Sequence, residues 1–343
     1  IFVVSKKNIN TNFKVMKKRL SISDIAKNLG VSVTTVSFIL NDKAKEKRIS
    51  DGMTKRVLDY VKKVGYKPNQ LAKSLRTGKS KTIGLLVEDI SNAFFSSIAD
   101  QIEKLAYDYG YHIIYCSMHN DESRAKELIQ LFYDRQIDGF IIAPTEGLSD
   151  VIQRLLTNNV PVVLFDRKIE DLDTNYVISE NVDGAYQGTQ SLFKDNKASK
   201  VGFVTINSNQ QQMKGRLEGY MKAVDEAGGD FSIKKINRIQ DESATIEDIK
   251  DFIVDNKLDG VLFATNYLAI SGLKAIKKYN LPIANLVSFD ENTIFSLVEP
   301  PVSAIAQNIH EMACQVVHIL VNEINGKSNG FQQVVVPCDF VKR

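Results

Sequence analysis

Polar and aromatic side chains follow short apolar segments at several points in the second part of the chain. They comprise carboxylates, amides, arginines and phenylalanines, namely Asn92, Phe94, Phe95, Asp166, Arg167, Arg216, Asn266, Asp290 and Gln307. Carboxylates and amides hydrogen-bond to adjacent hydroxyl groups, an arginine fork spans two oxygens, and aromatic rings pack against apolar C–H faces. In combination these residue types predict a binding site for a small polyol, such as a sugar or sugar derivative.

Each of these residues has another interpretation when it is taken alone. An aspartate at the end of a strand often caps a helix, and a single arginine often forms a surface ion pair. Asp166 and Asp290 would also suit the paired carboxylates of a carbohydrate enzyme. Aspartate–arginine pairs also occur in sugar sites that do no chemistry, and the sequence has no GxxxxGK[ST] phosphate loop. We therefore expect a binding site rather than an enzyme.

The composition gives little support to a metal site or a disulfide framework. The chain has 4 histidines and 3 cysteines, and the cysteines, none of them in a CxxC pair, are Cys116, Cys314 and Cys338. We therefore expect no metal, no cofactor and reduced thiols. Apolar runs stay below the roughly 18 residues of a membrane helix, and the start lacks the pattern of a secretory signal. A cytoplasmic protein without a membrane partner is expected.

The candidate site requires sheets whose strands end at one edge. From residue 82 onward apolar strand candidates alternate with amphipathic helices, and the candidates are 83–87, 112–116, 139–143, 162–165, 201–206, 260–263 and 286–289. Repeated strand–helix–strand order predicts parallel sheets with helices on both faces. Roughly 260 residues of this pattern suit two doubly wound α/β lobes, in which ligands bind beyond the carboxyl ends of the strands.

Basic residues are concentrated before this α/β region. Residues 1–82 contain 20 Lys and Arg against 5 Asp and Glu, whereas the remaining residues contain 24 against 36. Clustered basic side chains gain free energy by releasing counterions from phosphates, so this asymmetry indicates a head that binds nucleic acid. A solvated basic surface without such a partner is the alternative.

Two short helices joined by a glycine turn are predicted within the basic head. Ser23 is a candidate N-cap for the first helix, Gly30 suits its left-handed end, and Ser32 is a candidate N-cap for the second. A third helix is expected over residues 50–64. The side chains expected to face inward from it are Val57, Leu58 and Val61. This arrangement predicts an all-α helix-turn-helix unit.

The segment after the third helix has too little apolar area to be stable alone. Pro68 prevents the third helix from continuing, and Asn69 can cap a short helix over residues 70–75. So short a helix would become ordered only against a partner. A plain linker is the alternative interpretation.

Two stretches of the head carry a family resemblance. DIAKNLGVSVTTVSFILN and GYKPNQLAKSLRTGKSKTIGLLV resemble the lactose/galactose repressor (LacI/GalR) family of bacterial transcription regulators, and the resemblance extends over nearly all of residues 17–343. It implies that the helix after Ser32 enters the major groove of operator DNA. It also implies that the short segment is a hinge helix in the minor groove, with Leu75 as a wedge between bases.

The resemblance also implies which side chains lie against the DNA. They are Ser32, Val33, Thr34, Thr35, Ser37, Phe38, Asn41, Asn69, Ala72, Lys73 and Leu75. Phe38 departs from the family pattern, because many members have an arginine late in this helix. An arginine can bond guanine through two hydrogen bonds, whereas Phe38 offers only an apolar contact, for instance to a thymine methyl group.

The α/β body is similar to the type I periplasmic sugar-binding fold, and within it to the ribose-binding branch. The nine strand-end residues named at the outset stand at the pocket positions of that branch. One departure is Ala93, where the motif Asn-Pro-Phe-Phe has proline. The resemblance implies a small sugar effector, ribose-like or another monosaccharide, and argues against a purine.

These features together predict a sequence-specific DNA-binding regulator, in most members of the family a repressor, whose operator affinity depends on a sugar bound between two lobes. A homodimer is expected, because one helix-turn-helix reads only a half-site. The alternative is a sugar-binding protein without a DNA function.

Four segments are expected along the chain. Residues 1–15 would be an extension or disordered, 16–66 the helix-turn-helix domain, 67–81 the hinge helix and linker, and 82–343 the sugar-binding and dimerisation domain. Two lobes are expected within the last segment. The first would take residues 82–167 and 292–326, and the second residues 168–291 and 327–343.

Overall fold

The computed structural model describes residues 20–66, 74, 78–237, 240–328 and 330–343. The chain divides into two units, residues 1–78 and residues 79–343, and each unit has its own apolar core. The predicted extension and most of the predicted hinge lie outside the described residues, including the four hinge positions implied to contact DNA, Asn69, Ala72, Lys73 and Leu75.

The first unit contains three helices, α1 (Ile22–Leu29), α2 (Val33–Leu40) and α3 (Asp51–Val64). A capping box starts α1: the Ser21 hydroxyl accepts from the Asp24 N–H, and the Asp24 carboxylate accepts from the Ser21 N–H. The predicted N-cap at Ser23 is therefore wrong. Ser21 is the cap because Asp24, three residues later, completes the pair.

The apolar faces of the three helices meet in one small core. Ile25, Val36 and Val57, one from each helix, are fully buried. Leu58 was predicted to face inward but is 45% exposed, because it lies about 100° around the helix from Val57. The predicted helix-turn-helix is present. α2 contributes Val36 and Ile39 to this core, and its other faces do not take part in it.

The second unit contains two six-stranded sheets. Their strands, β1 to β12 in chain order, are Thr82–Val87, His112–Ser117, Gly139–Ile142, Val162–Phe165, Asn175–Ser179, Val201–Ile206, Ser232–Ile236, Gly260–Phe263, Asn285–Phe289, Ser303–Gln307, Gln333–Val336 and Cys338–Val341. Sheet A has the strand order β11-β5-β4-β3-β1-β2, and sheet B has the order β12-β10-β9-β8-β6-β7. The pairing is parallel apart from the antiparallel pair β10–β12.

Helices pack against these sheets and mostly begin where a strand has just ended. In chain order α4 to α11 are Ala93–Asp108, Glu122–Asp134, Ser149–Thr157, Asn181–Lys194, Gln211–Ala227, Glu242–Asn256, Asn266–Tyr279 and Ile309–Ile324. A short 3-10 helix, Thr293–Ser296, follows β9. The predicted α/β class with two doubly wound sheets is confirmed. Within the described ranges, no helix combines the length and apolar composition needed to cross a membrane.

The two sheets define two lobes, and the predicted lobe boundaries need correction. β5 and β11 belong to sheet A, whereas β10 belongs to sheet B. The chain therefore crosses between sheets after β5, after β10 and after β11. The lobe limits predicted from the sequence imply crossings at residues 167–168, 291–292 and 326–327 instead.

Backbone pairing decides which lobe a strand joins, and the alternation of helices and strands does not reveal it. By sheet membership, the first lobe takes residues 82–179 and 309–336, and the second takes 181–307 and 338–343. The predicted limits 82–167 with 292–326, and 168–291 with 327–343, had placed β5 and β11 in the second lobe and β10 in the first.

Candidate functional site

The carboxyl ends of the strands bring polar side chains of both sheets together. β4 of sheet A is followed by Asp166 and β9 of sheet B by Asp290, with φ angles of 65° and 70°. This left-handed conformation is uncommon for residues other than glycine and turns the chain sharply at the strand end. Both aspartates are buried, so each lobe contributes one buried carboxylate to the space between them.

Arg167 organises the part of the site that belongs to sheet A. Its guanidinium is buried, and Nε donates to Asp166 Oδ2 at 3.0 Å while Nη2 donates to Glu88 Oε2 at 2.6 Å. Nη1 donates to Asn120 Oδ1 at 3.0 Å and to the Pro144 carbonyl at 3.5 Å. Charge-assisted bonds on several sides fix the orientation of the planar guanidinium.

Arg216, in the first turns of α8, has the corresponding role for sheet B. Its Nε donates to Asn181 Oδ1 at 2.9 Å, and its Nη1 donates to the Ala264 carbonyl at 2.7 Å. Nη1 also lies 3.6 Å from Asp290 Oδ2. The guanidinium carbon lies 3.7 Å from the centroid of the Phe289 ring, which is within the range of a cation–π contact.

Burial raises the pKa of the Asp290 carboxyl above its ordinary value. The Arg216 guanidinium and a hydrogen bond from Gln307 Nε2, 2.5 Å long, oppose this shift, whereas the charge of Asp166 adds to it. Desolvation therefore outweighs the two partners that favour the ionised form. A further hydrogen-bond donor, such as a ligand hydroxyl, would stabilise this carboxylate.

Two hydrogen bonds between side chains of described residues join the lobes at the site. Gln210, which precedes α8, donates from Nε2 to Asn120 Oδ1 of the other lobe at 3.1 Å. The Ser179 hydroxyl at the end of β5 donates to Gln307 Oε1 at the end of β10. The strand ends of the two sheets are thus held close to each other at two points.

Several buried polar atoms at this edge have no hydrogen-bond partner among the described residues. They are Asn120 Nδ2, Thr145 Oγ1, Gln212 Oε1 and Asn266 Nδ2. An unpaired buried donor or acceptor costs about 1–3 kcal/mol. A cavity of about 240 Å³ at the same edge is lined by Phe94, Asp290 and Gln307, among others. The site therefore combines space with both donors and acceptors for a polar ligand.

The structure places most of the predicted site residues at this edge but gives two of them local contacts. The Asn92 side chain caps α4, where its Oδ1 accepts from the Phe94 N–H at 2.9 Å. Phe95 packs edge-on against Phe165, with ring centroids 6.3 Å apart, in the core of sheet A. Ligand contact by Asn92 or Phe95 remains a prediction.

Sequence reasoning missed several polar residues of the site. Glu88 follows β1, Asn120 follows β2 and Thr145 follows β3, so each obeys the same strand-end rule that had identified Asp166. Asn181 and Gln212 are at the starts of α7 and α8. Their positions were predictable, but only the contacts show that Glu88 and Asn120 bind Arg167 and that Asn181 binds Arg216.

The helix predicted to read DNA is α2 of the first unit. Its N-cap is Ser32, as predicted, and the Ser32 hydroxyl accepts from the Thr35 N–H at 3.0 Å. Val36 and Ile39 are buried in the core of the unit. The described positions implied to contact DNA are all exposed or only partly buried, namely Ser32, Val33, Thr34, Thr35, Ser37, Phe38 and Asn41.

Two protein families match the chain in separate segments. Residues 83–328 match the family described as a periplasmic binding protein domain, and residues 21–69 match the bacterial regulatory proteins of the lacI family. The chain belongs to the LacI family, with a periplasmic-binding-protein domain as its body. This LacI-family protein is a DNA-binding transcription regulator and not an enzyme. These matches favour a regulator over the alternative of a binding protein without a DNA function.

Similar proteins span nearly the whole LacI-family chain. The transcriptional regulator RegA of Clostridium saccharobutylicum is 28% identical over 329 residues, which cover 94% of this chain and 98% of RegA. DegA of Bacillus subtilis is 26% identical, with 95% and 97% covered. The lac repressor dimer bound to operator has a TM-score of 0.82 at 19% identity, over 95% of this chain and 98% of that one.

Proposed function

We propose that this LacI-family regulator reads operator DNA through α2 and residues 67–81, and that a small sugar bound between sheets A and B controls its operator affinity. One observation carries the proposal. Asp166, Arg167, Arg216 and Asp290 bring buried carboxylates and guanidiniums of both lobes to the strand ends, where Asp290 lines a cavity and several buried polar atoms lack partners among the described residues. Sugar hydroxyls both donate and accept, so they suit such a lining.

The ligands of similar solved proteins support a sugar. A LacI-family regulator of Enterococcus faecium, 22% identical with a TM-score of 0.68 over 76% of this chain and 97% of that one, was solved with bound ribose. The Cra regulator of Pseudomonas putida was solved with fructose 1-phosphate, and the regulator CelR with cellobiose. We extend the ligand class, and no individual ligand, to this chain.

Control of DNA binding requires that the sugar bind two arrangements of the lobes unequally. The contacts Asn120–Gln210 and Ser179–Gln307 span the two sheets, so a change in the angle between the lobes alters them. A sugar that touches both lobes then favours one angle. The expected coupling is about 1–3 kcal/mol, which corresponds to a change in operator affinity of roughly 5–150-fold.

We further propose that the regulator acts as a homodimeric repressor in the bacterial cytoplasm. A single helix-turn-helix contacts one half-site, and two copies related by a twofold axis contact two half-sites in successive major grooves. Leu75 and its neighbours would then enter the minor groove between those half-sites, as the family resemblance implies. The homodimer is thus the form that fits a palindromic operator.

A thermal-shift screen of the full chain against neutral monosaccharides tests the sugar site. A sugar specific for the folded state raises the melting temperature by an amount that grows with the logarithm of 1 + [sugar]/Kd. A purine such as hypoxanthine serves as the control that should leave the melting temperature unchanged. Operator affinity, measured on a sequence selected from random DNA, should then change when the stabilising sugar is added. A sugar that binds without altering operator affinity would contradict the allosteric control.

A further inference from the structure

A chain of three side-chain amides crosses between the lobes at the strand ends. Asn120 follows β2 of sheet A, whereas Gln210 is the N-cap residue of α8 and Gln212 lies in the first turn of that helix. Gln210 Nε2 donates to Asn120 Oδ1 at 3.1 Å, and Gln212 Nε2 donates to Gln210 Oε1 at 3.3 Å. These amides thus connect the lobes outside the nine positions that the family resemblance implies.

Arg167 fixes the direction of this chain of amides. Its Nη1 donates to Asn120 Oδ1 at 3.0 Å, and a guanidinium has no acceptor, so the Asn120 atom that faces it is the oxygen. Gln210 must then present its nitrogen to that oxygen, and Gln212 must present its nitrogen to the oxygen of Gln210. The orientation of all three amides therefore follows from one donor that is always charged.

The two ends of the chain carry unpaired atoms of opposite kind. Asn120 Nδ2 is a donor in the first lobe, and Gln212 Oε1 is an acceptor in the second. Both atoms are buried and have no hydrogen-bond partner among the described residues, which is unfavourable for a buried polar group. A sugar offers oxygens that accept and hydroxyls that donate, so one sugar molecule can supply a partner to each end.

We infer that Asn120 and Gln212 determine specificity in the sugar site, where Asn120 Nδ2 donates to one oxygen of the sugar and Gln212 Oε1 accepts from one of its hydroxyls. The inference rests on the proposed function, because it concerns the ligand of the same site. The two residues belong to different lobes, so a sugar that engages both of them is held by both lobes.

Deoxy sugars test the inference on the full chain. D-Ribose, D-xylose, D-glucose, D-galactose and D-fructose are titrated by calorimetry, and each sugar that binds is compared with its monodeoxy derivatives, such as 2-deoxy-D-ribose and 6-deoxy-D-galactose. A derivative without the hydroxyl that contacts Asn120 or Gln212 leaves a buried amide unpaired, so the wild type should bind it at least about fivefold more weakly than the parent sugar. Equal affinity for a parent sugar and all of its derivatives would overturn the inference.

Substitutions of the two amides identify the hydroxyls that they contact. Asn120 has a φ angle of 53°, so Asn120→Gly removes the side chain without straining the backbone, and Gln212→Met removes an amide at nearly constant size. Each variant should bind one deoxy derivative and the parent sugar equally, and should still discriminate against the other derivatives as the wild type does. The control is Gln153→Met, the same change at an exposed position of α6, which should leave discrimination unchanged.

A purely structural role of the two amides predicts a different result. If Asn120 and Gln212 only support the fold or bind an ordered water, their variants weaken the binding of a parent sugar and of all its derivatives by one common factor. That result would overturn the inference and leave the proposed sugar site intact. A wild type that binds none of the sugars contradicts the proposed sugar site, and the inference falls with it.

More conservative variants replace any that do not fold. Asn120→Asp keeps the oxygen that accepts from Arg167 and Gln210 and replaces only Nδ2, and Gln212→Glu keeps Oε1 and replaces only Nε2. Each adds a carboxylate, which binds a hydroxyl more strongly than an amide does. Discrimination against one deoxy derivative should therefore change in each variant, and unchanged discrimination would overturn the role of that residue.

Discussion

Arg216 contacts four partners that come from different parts of the second lobe. Its guanidinium joins Asn181 of α7, the carbonyl of Ala264 after β8, the ring of Phe289 and the carboxylate of Asp290. The planar guanidinium contacts partners in all of these directions at once, whereas the single ammonium group of a lysine cannot. Arg216 is therefore a residue whose shape, as well as its charge, matters for the site.

Arg216→Lys should weaken sugar binding while leaving operator binding without sugar unchanged. Loss of the planar guanidinium removes hydrogen bonds from a charged group worth about 1.5–3 kcal/mol, or roughly 10–150-fold in sugar affinity. Calorimetric titration and operator binding of the same preparation measure the two effects. Arg154→Lys, at an exposed position near the end of α6, is the control and should change neither. Equal loss of both activities in a folded Arg216→Lys protein would contradict the separation of roles.

The buried carboxyl of Asp290 gives the stability of the ligand-free protein a defined dependence on pH. Because burial raises the pKa of Asp290, the folded protein retains a proton that the unfolded chain has already released. Stability contributed by this group falls as pH rises from the ordinary pKa through the raised one. The contribution is complete below the ordinary pKa of an aspartate.

Asp290→Asn should remove this decrease in stability with rising pH. The free energy of unfolding of the variant, relative to that of the wild type, should increase as pH rises, by about 1.4 kcal/mol for each unit of the pKa difference. Urea unfolding of both proteins between about pH 4 and pH 8 measures it. A difference in stability that stays constant with pH would show that Asp290 ionises as easily in the folded chain as in the unfolded one.

At the scale of elements, the close packing of α7 against α8 positions Asn181 beside Arg216. A Cβ atom placed on Gly219 of α8 would lie 2.1 Å from the Val182 carbonyl oxygen and 2.8 Å from the Tyr186 nitrogen of α7. Backbone atoms cannot move aside as a flexible side chain can. Glycine at this position therefore allows the approach of the two helices on which the Arg216–Asn181 hydrogen bond depends.

Gly219→Ala should separate the two helices and destabilise the second unit. Overpacking of this kind costs about 1–3 kcal/mol, and sugar affinity should fall as well, because Arg216 moves away from Asn181. Gly52→Ala in α3 is the matched control: a Cβ there meets nothing within 4 Å, so the change should be neutral or stabilising by up to about 1 kcal/mol. Urea unfolding of both variants provides the test, and a stable Gly219→Ala protein with unchanged sugar affinity would contradict the role of this contact.

The sequence predicts most of the strands that are buried on both faces, with β10 as an exception, and misses most of the others. β8 and β9 form continuous apolar runs with almost complete burial, which is the pattern of central strands in parallel sheets. β5, β7 and β11 alternate buried and more exposed residues, and β7 contains two lysines. The lysines break the apolar run from which β7 would be recognised, whereas β5 and β11 contain only three consecutive apolar residues each.

The site was predictable by position but not by contact. The strand-end rule identified Asp166, Arg167 and Asp290 because parallel strands of one sheet end at the same edge. The same rule does not show which side chains pair, since Glu88 and Arg167 are 79 residues apart in the chain. The lobe boundaries failed for the same reason, because strand pairing over long sequence distances determines them.

At the scale of the whole molecule, control by a sugar implies an equal effect in the opposite direction. If a sugar changes operator affinity by some factor, operator binding must change sugar affinity by the same factor. This reciprocity holds for either sign of the effect, so it applies to an inducer and to a corepressor alike.

Sugar affinity measured with and without saturating operator should therefore differ by the factor by which saturating sugar changes operator affinity. We expect that factor to lie at roughly 5–150. Calorimetry for the sugar and fluorescence anisotropy for the labelled operator, in one buffer at one salt concentration, give the two numbers. Unequal factors would mean that the sugar and the operator do not act through one shared equilibrium.

The three chain crossings between sheets A and B, after β5, β10 and β11, limit how the two halves of the body can move. Several short connections between two lobes permit rotation about a hinge and restrict translation of one lobe along the other. Ligands of different shape that stabilise the same angle between the lobes would then have the same effect on operator affinity. Substitutions of the ligand-contacting residues can therefore change the ligand while the hinge motion that controls operator affinity is kept.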